Sequence, residues 1–492
     1  MHRRDLLRAM AAAPFAMAAS AQTRYQPTWE SIDRRPSPQW YTDAKFGVFI
    51  HWGVYSVPAF AAVNVKGETG YAEWYWNSLV KNKRNGKGPT LEFHNRVYGP
   101  DFEYFNFAPM FRCEAYAPDH WADVFDRAGA KYVALTSKHH EGYTLWKSAE
   151  ANRTWNRPWN AVDIGPKRDI LLDLMTAGRK RGLHMGIYYS LYEWYNPLWL
   201  SDKKRYVAEH MMPQFQDVVT HAQPEIIFSD GEWDLPSADW RSTELLAWLL
   251  NESPVKDNVV INDRWGKDSR HKHGGYYTTE YTSGMDAASH PWEESRGMGF
   301  SYGYNRMETA KDYRTGRELL MMLIDIVSRG GNLLLDIGPT ADGRIPVEME
   351  ERLLQMGEWL KPNGEAIYDT KQWRHPRQWS PGQIPKFEQK EFMAEYKIGN
   401  MVDTPPAGYA RVDAFLTQKP GALYAIVPRR PLKEVTIDDV EAPGGVQVTL
   451  LDGGQPFQSK MEGKRLRIAV PDAVAAALPH RQAYTFKIAG AK

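Results

Sequence analysis

Ile226-Ile227-Phe228-Ser229-Asp230-Gly231-Glu232 is an apolar run that stops abruptly at a carboxylate, a glycine and a second carboxylate. Continuous apolar residues over so short a length read as a parallel strand covered on both faces. In a barrel of parallel strands, catalytic groups stand at the C-terminal strand ends, aimed at a shared pocket by a rigid scaffold. Asp230 is therefore the first candidate nucleophile. A carboxylate after a strand also serves as a helix cap, and this segment alone does not separate the two roles.

The flanking sequence repeats the pattern. Short apolar strands are expected at 46–51, 132–137, 185–190, 225–230, 259–263 and 332–337. Between them, Trp121, Val124, Phe125 and Ala128 recur at helical spacing after Pro118. The same holds for Ile170, Leu171, Leu174 and Met175, and for Leu319, Met322, Leu323 and Ile326. Strand–helix units sustained from about residue 40 to 362 predict an α/β fold, a (β/α)8-like TIM barrel. No Gly-x-Gly-x-x-Gly follows the first strand, so a dinucleotide-binding sheet lacks its fingerprint. The helix ending near Lys361 leads into a Pro- and Trp-rich stretch, 373–385, that reads as irregular. Short strands at 422–427, 435–437, 446–451, 466–470 and 484–488 then predict a C-terminal antiparallel β-sandwich. The expected domains are a catalytic barrel at 22–375 and the sandwich at 386–492.

Of 492 residues, 25% are charged and 43% hydrophobic, as in ordinary globular proteins. A net charge of +1 gives no reason to invoke nucleic acid. The 19 Trp and 26 Tyr are in excess and hint at carbohydrate, whose apolar C–H faces pack on aromatic rings. Residues 1–21 read as a twin-arginine-like signal peptide: Arg3-Arg4 before Leu6-Leu7, a short apolar region, and Ala19-Ser20-Ala21 before Gln22. The chain is thus expected to be exported, periplasmic or secreted. No stretch reaches the ~20 apolar residues of a membrane span. Cys113 is the sole cysteine, so neither a disulfide nor a cysteine metal site is expected. Association into an oligomer is left open.

Nearly every strand terminus carries a polar group beside an aromatic one: His51-Trp52, Lys138-His139-His140, Tyr188-Tyr189-Ser190, Asp230, Asn262-Asp263-Arg264 and Tyr277-Thr278-Thr279-Glu280. Each such group costs ~1–3 kcal/mol if buried unpaired, and a ligand rich in hydroxyls would satisfy them. Adjacent side chains on a strand point to opposite faces, which argues against zinc on His51, His139 and His140 unless the strand has already ended. No metal and no cofactor is expected. Glycoside cleavage needs two carboxylates. Asp230, kept ionised by Arg264, pairs naturally with Glu280, whose flanking Tyr277 and Tyr281 would desolvate it and keep it protonated. Glu73, Glu232 and Glu293 compete for the second role.

The segments AKFGVFIHWGVYSVPA from Ala44, EWYWN from Glu73, YVALTSKHHEGYTLW from Tyr132, NDRWG from Asn262, SYGYNR and GGNLLLDIGP resemble the α-L-fucosidases of glycoside hydrolase family 29. The resemblance spans Trp40 to Trp373 and continues more weakly through the sandwich. It implies a retaining double displacement on a fucosylated oligosaccharide or glycoconjugate. Asp230 in FSDGEWD matches the nucleophile, and Glu280 in TTEY the acid/base of one branch. His51, Glu73, Trp74, His139, His140, Tyr188 and Arg264 match positions that hold fucose hydroxyls or the catalytic carboxylate. Phe49, Tyr71 and Tyr302 match an aromatic pocket for the sugar methyl. Glu141 stands where the family often has Asp. The alternatives are a lectin-like, non-catalytic sugar binder, or a related enzyme acting on a sugar such as L-galactose.

Overall fold

The computed structural model describes residues 24–286, 289–387, 392–394 and 396–491. The expected signal peptide lies outside them. Eight parallel strands form one curled sheet: β1 Phe46–Ile50, β2 Tyr132–Lys138, β3 His184–Ser190, β4 Ile226–Asp230, β5 Val260–Ile261, β6 Tyr277–Glu280, β7 Trp292–Gly297 and β8 Asn332–Ile337. The ladder order is β5-β4-β3-β2-β1-β8-β7-β6. β5 and β6 share no ladder; instead the Ile261 carbonyl accepts from the backbone N–H groups of Gly275 (3.0 Å) and Tyr276 (3.2 Å).

Strand alternation sorts side chains into two cores. Val48, Ile50, Val133, Leu135, Met185, Ile187, Leu333 and Leu335 point outward and pack under the helices. Those helices present the expected stripes. Pro118–Arg127 begins with proline at its first turn and buries Trp121, Val124 and Phe125. Ile170–Lys180 is capped by Asp169, whose carboxylate accepts from Leu172 N at 2.9 Å. Gly316–Ser328 opens with a Thr315/Glu318 capping box. The opposite parity, Phe49, Tyr132, Ala134, Tyr188, Phe228 and Leu334, fills the barrel interior as a separate cluster. Gly47 makes this filling feasible, because a Cβ there would lie 2.3 Å from the Tyr132 ring.

The structure departs from the sequence reading at several strands. Trp292–Gly297 was not expected as a strand because Glu293, Glu294 and Arg296 interrupt its apolar run. All three are buried, with Glu294 accepting from Thr279 (2.6 Å) and Thr282 N (2.8 Å) on the neighbouring segment. The stretch read as irregular contains a strand, β9 Lys371–Trp379, which edges the C-terminal sheet. Its partner β10, Val412–Lys419, also went unread.

β9 and β10 join β11 Ala422–Val427, β17 Tyr484–Ala489, β13 Gln447–Leu450 and β14 Pro456–Phe457 in a six-stranded antiparallel sheet. β12 Lys433–Ile437, β16 Arg465–Val470 and β15 Ser459–Glu462 form a three-stranded one. Their inner faces, including Leu423, Ala425, Ile437, Ile468 and Phe486, share one apolar core. The sandwich docks on helix Gly316–Ser328 through a buried ion cluster. Asp325 accepts from Arg377 (2.8 Å), Arg329 (2.9 Å) and the Tyr396 hydroxyl (2.6 Å). Burial opposes ionisation of Asp325, but Arg329 and Arg377 outweigh it and hold the carboxyl well below the usual range. The cluster therefore stabilises the fold above the unfolded carboxylate pKa of about 3.9, and this stabilisation is lost as pH falls toward the depressed folded value. Asp325→Ala leaves two buried guanidinium groups short of a partner. Urea unfolding at neutral pH is expected to show a loss of about 3–5 kcal/mol, and the deficit should shrink on acidification.

Candidate active site

The parity that fills the barrel floor also decides what enters the space above it. Two residues beyond Phe49, Phe228 and Leu334 stand His51, Asp230 and Asp336; two beyond Thr278 and Glu293 stand Glu280 and Ser295. With loop residues, His51, Asp230, Glu280 and Ser295 enclose a cavity of about 1150 Å³ at the C-terminal strand ends. Phe49, Tyr71, Glu73, Trp74, His139, His140, Tyr188, Arg264 and Tyr302 line it as well. Gly231 turns the chain sharply after Asp230 at φ 73°, and a Cβ there would meet the Tyr192 ring at 2.4 Å.

Arg264 organises the charges. One terminal nitrogen donates to Asp230 Oδ1 at 3.0 Å, the other to Glu280 Oε2 at 3.0 Å, and Nε donates to Thr278 Oγ1 at 2.9 Å. Tyr188 completes the hold on Asp230, donating to Oδ2 at 2.7 Å. Burial disfavours the charged form of both carboxylates, but the outcomes differ. At Asp230 the guanidinium overrides burial and keeps the carboxyl well below its ordinary range. At Glu280 burial prevails over Arg264, aided by the negative field of Asp230, and the carboxyl is raised. One member of the pair is ionised and the other is biased toward its proton. Of the two tyrosines expected to desolvate Glu280, Tyr277 points away and stacks on His290, with ring centres 4.0 Å apart, while Tyr281 packs against Tyr302 and Tyr71 of the cavity wall.

The competing carboxylates are engaged elsewhere. Glu293 lies outside the cavity lining, accepting from Tyr41 (3.0 Å) and Tyr132 (2.5 Å), and burial pushes it up to about 7. Glu73 accepts from Gly303 N at 2.8 Å. Glu232 lines the cavity and is held by Arg270 at 2.6 Å.

The imidazoles of His51 and His140 are both tied at Nδ1. Ser190 donates to the Tyr192 carbonyl (2.7 Å), so its oxygen must take the hydrogen of His140 Nδ1 (2.6 Å). Burial keeps His140 neutral. Its Nε2 is then an acceptor, 3.5 Å from Asp230 and 3.4 Å from the Tyr188 hydroxyl. His51 is tied to a carboxyl instead. Its Nδ1 lies 2.7 Å from Asp336 Oδ1, and burial raises Asp336 well above the carboxylate range and lowers His51. His139 and His140 face the same cavity with ring centres 4.1 Å apart, because β2 ends at Lys138 and strand alternation lapses there. Even so, no three His, Cys, Asp or Glu groups among the described residues form a metal-holding set.

Aromatic rings close one wall. Phe49 lies 5.0 Å from Phe228 and 4.7 Å from His51, and Tyr302 stacks on His51 at 4.7 Å. Tyr71 stacks on Phe300 at 5.2 Å. Asp336 and Trp233 were not singled out from the sequence. Asp336 was within reach, since it occupies the inward register of an expected strand.

Two carboxyl groups pushed in opposite directions from the ordinary carboxylate range, in an aromatic-walled cleft, are the equipment of a glycoside hydrolase, and that is the class the fold and the site define. The chain belongs to the alpha-L-fucosidase family, whose model matches residues 12–365. It is 39% identical to the tissue alpha-L-fucosidase of Homo sapiens over 499 residues, 99% of this chain and 96% of that protein. It is 47% identical to the alpha-L-fucosidase of Dictyostelium discoideum over 360 residues, 71% of this chain and 76% of the relative. The crystal structure of Thermotoga maritima alpha-fucosidase with a mechanism-based inhibitor superposes with a TM-score of 0.76. It is 33% identical, covering 95% of this chain and all of the other (100%).

Because Arg264 is what keeps Asp230 ionised, Arg264→Gln should raise the Asp230 pKa. The acidic limb of the pH–rate profile is expected to move up by about 1–3 pH units. An unmoved limb would assign it to another group.

Proposed function

We propose that this enzyme releases terminal α-L-fucose from fucosylated oligosaccharides or glycoconjugates by double displacement with net retention. The observation that carries this reading is the single guanidinium joining Asp230 to Glu280. A shared guanidinium brings both carboxyl groups to one point of the cleft, which supports the ~5 Å spacing of a retaining pair. Asp230, ionised, attacks the anomeric carbon while Glu280 gives its proton to the leaving oxygen. Formation of the ester removes the negative charge of Asp230 and leaves Glu280 as a carboxylate on Arg264. Glu280 then takes a proton from the water that cleaves the ester, and the site returns to its starting state.

Recognition follows from the remaining side chains. His51 and His140, whose imidazoles can give or take hydrogen bonds, suit sugar hydroxyls, with Glu73, Trp74 and His139 at the same face. Phe49, Tyr71 and Tyr302 suit the methyl of a 6-deoxy sugar. Burying that methyl contributes about 0.8 kcal/mol, whereas a 6-hydroxyl against the same rings would be stranded at ~1–3 kcal/mol. This favours fucose over L-galactose. The ionised nucleophile beside a protonated acid exceeds what a lectin needs. Export to the periplasm or medium is part of this reading, supported by the basic and apolar start of the chain. Among the described residues no helix is long and apolar enough to cross a membrane.

Asp230→Gly should abolish hydrolysis of an aryl α-L-fucoside, and azide should restore turnover with the β-fucosyl azide as product. Retained activity without azide would remove Asp230 from the nucleophile role. Glu280→Ala should slow substrates with poor leaving groups by ~10²–10⁴-fold while sparing those whose leaving groups need no proton. The alkaline limb of the profile should vanish with it. Equal losses on good and poor leaving groups would point to another acid.

A further inference from the structure

Strand β6 places Glu280 between two unlike loops, and the leaving saccharide must pass between them. On one side, the backbone of Glu280 is joined to 392–393, whose Met393 N–H donates to the Glu280 carbonyl at 3.0 Å. Phe392 and Met393 are exposed there, as is Phe300 nearby. On the other side runs Arg264-Trp265-Gly266-Lys267-Asp268-Ser269-Arg270-His271-Lys272, pinned to β6 where His271 Nε2 meets the Thr278 carbonyl at 2.9 Å.

That second loop carries four permanent cations and one carboxylate, in a chain whose net charge is only +1. Two of the cations have internal partners. Arg264 is held by the catalytic pair, and Arg270 donates to Glu232 at 2.6 Å. The one acid, Asp268, is turned to Ser237, accepting from its N–H at 2.8 Å and its hydroxyl at 3.1 Å. Lys267 and Lys272 are what remains. Both are exposed, both line the catalytic cavity, and neither side chain has an ion pair or hydrogen bond among the described residues. Trp233, 38% exposed, stands at the same mouth with its ring centre 5.4 Å from that of His140.

We infer that the leaving-group side of the cavity is a subsite for an anionic sugar. Lys267 and Lys272 take its carboxylate or sulfate, while its apolar face lies along the opposite, aromatic rim. The inference rests on Glu280 protonating the leaving oxygen, since that is what locates the leaving saccharide. Two uncompensated ammonium groups beside a deep cleft favour an anion both by direct contact and by raising its local concentration. Contacts of this exposed kind are modest individually and weaken with salt.

The test uses the full chain and three fucosyl disaccharides that differ only on the leaving sugar: neutral, carboxylated, or bearing a sulfate ester. At low ionic strength at least one charged substrate should exceed the neutral one in kcat/KM by about five- to tenfold, and high salt should erase the gap. Which charged substrate leads identifies the anion. Lys267→Gln with Lys272→Gln should collapse the charged-to-neutral ratio toward one, and Lys267→Glu with Lys272→Glu should push it below one. Equal kcat/KM for all three substrates in the wild type, or a ratio untouched by charge reversal, would overturn the subsite. Turnover of an uncharged aryl α-L-fucoside is read separately. Its absence would sink the fucosidase reading itself, whereas its presence with no charge preference would sink only this inference.

Discussion

The site is built around a buried guanidinium. Arg264 is nearly inaccessible to solvent, and a lone charge in that position would be costly to desolvate. Two carboxylates and a threonine hydroxyl make its burial tolerable, and in return it imposes different charge states on the two acids. Asp230 has Tyr188 as a second donor and stays ionised; Glu280 has only Arg264 and sits in the field of Asp230. The opposite shifts of the two carboxyl groups thus come from an unequal count of donors around chemically similar groups.

The layered interior supplies the rigidity this arrangement needs. Outward residues bind the sheet to its helices, while inward tyrosines and phenylalanines form a floor independent of that core. Since the same strand residues alternate between the two tasks, the strand ends cannot shift by one position without turning Asp230 and His51 out of the cavity. The barrel also anchors the C-terminal sandwich, through Asp325 and through Trp359, whose indole donates to the Ala483 carbonyl at 3.0 Å.

Legibility in the sequence followed the chemistry of each strand. The apolar strands β1 to β4 and β8 were readable because both faces are covered, and their terminal polar groups stood out against that background. β7 was hidden for the opposite reason: Glu293, Glu294 and Arg296 are buried with partners supplied by distant segments such as Tyr41 and Tyr132, which no local pattern reveals. The positions of Asp230 and Arg264 could be anticipated. The tautomers of His51 and His140 could not, because they depend on Asp336 and Ser190 brought in from other strands. His139 and His140 would diverge on a continuing strand; they converge because β2 ends at Lys138, the alternative the sequence reading had left open.

One junction of the ring remains without a ladder, between β5 and β6. Unpaired strand edges are templates on which a second chain adds, the first step toward fibrous association. Here the polypeptide doubles back over its own gap. Gly275 and Tyr276 occupy the Ile261 carbonyl, and Gly274, at φ 97°, lies so near the Asn262 carbonyl that a Cβ would sit 2.2 Å from the oxygen. An intruding strand finds that acceptor already taken and its approach blocked by a backbone that tolerates no side chain. The turn that leads into Glu280 therefore also closes the one seam of the ring that no ladder seals.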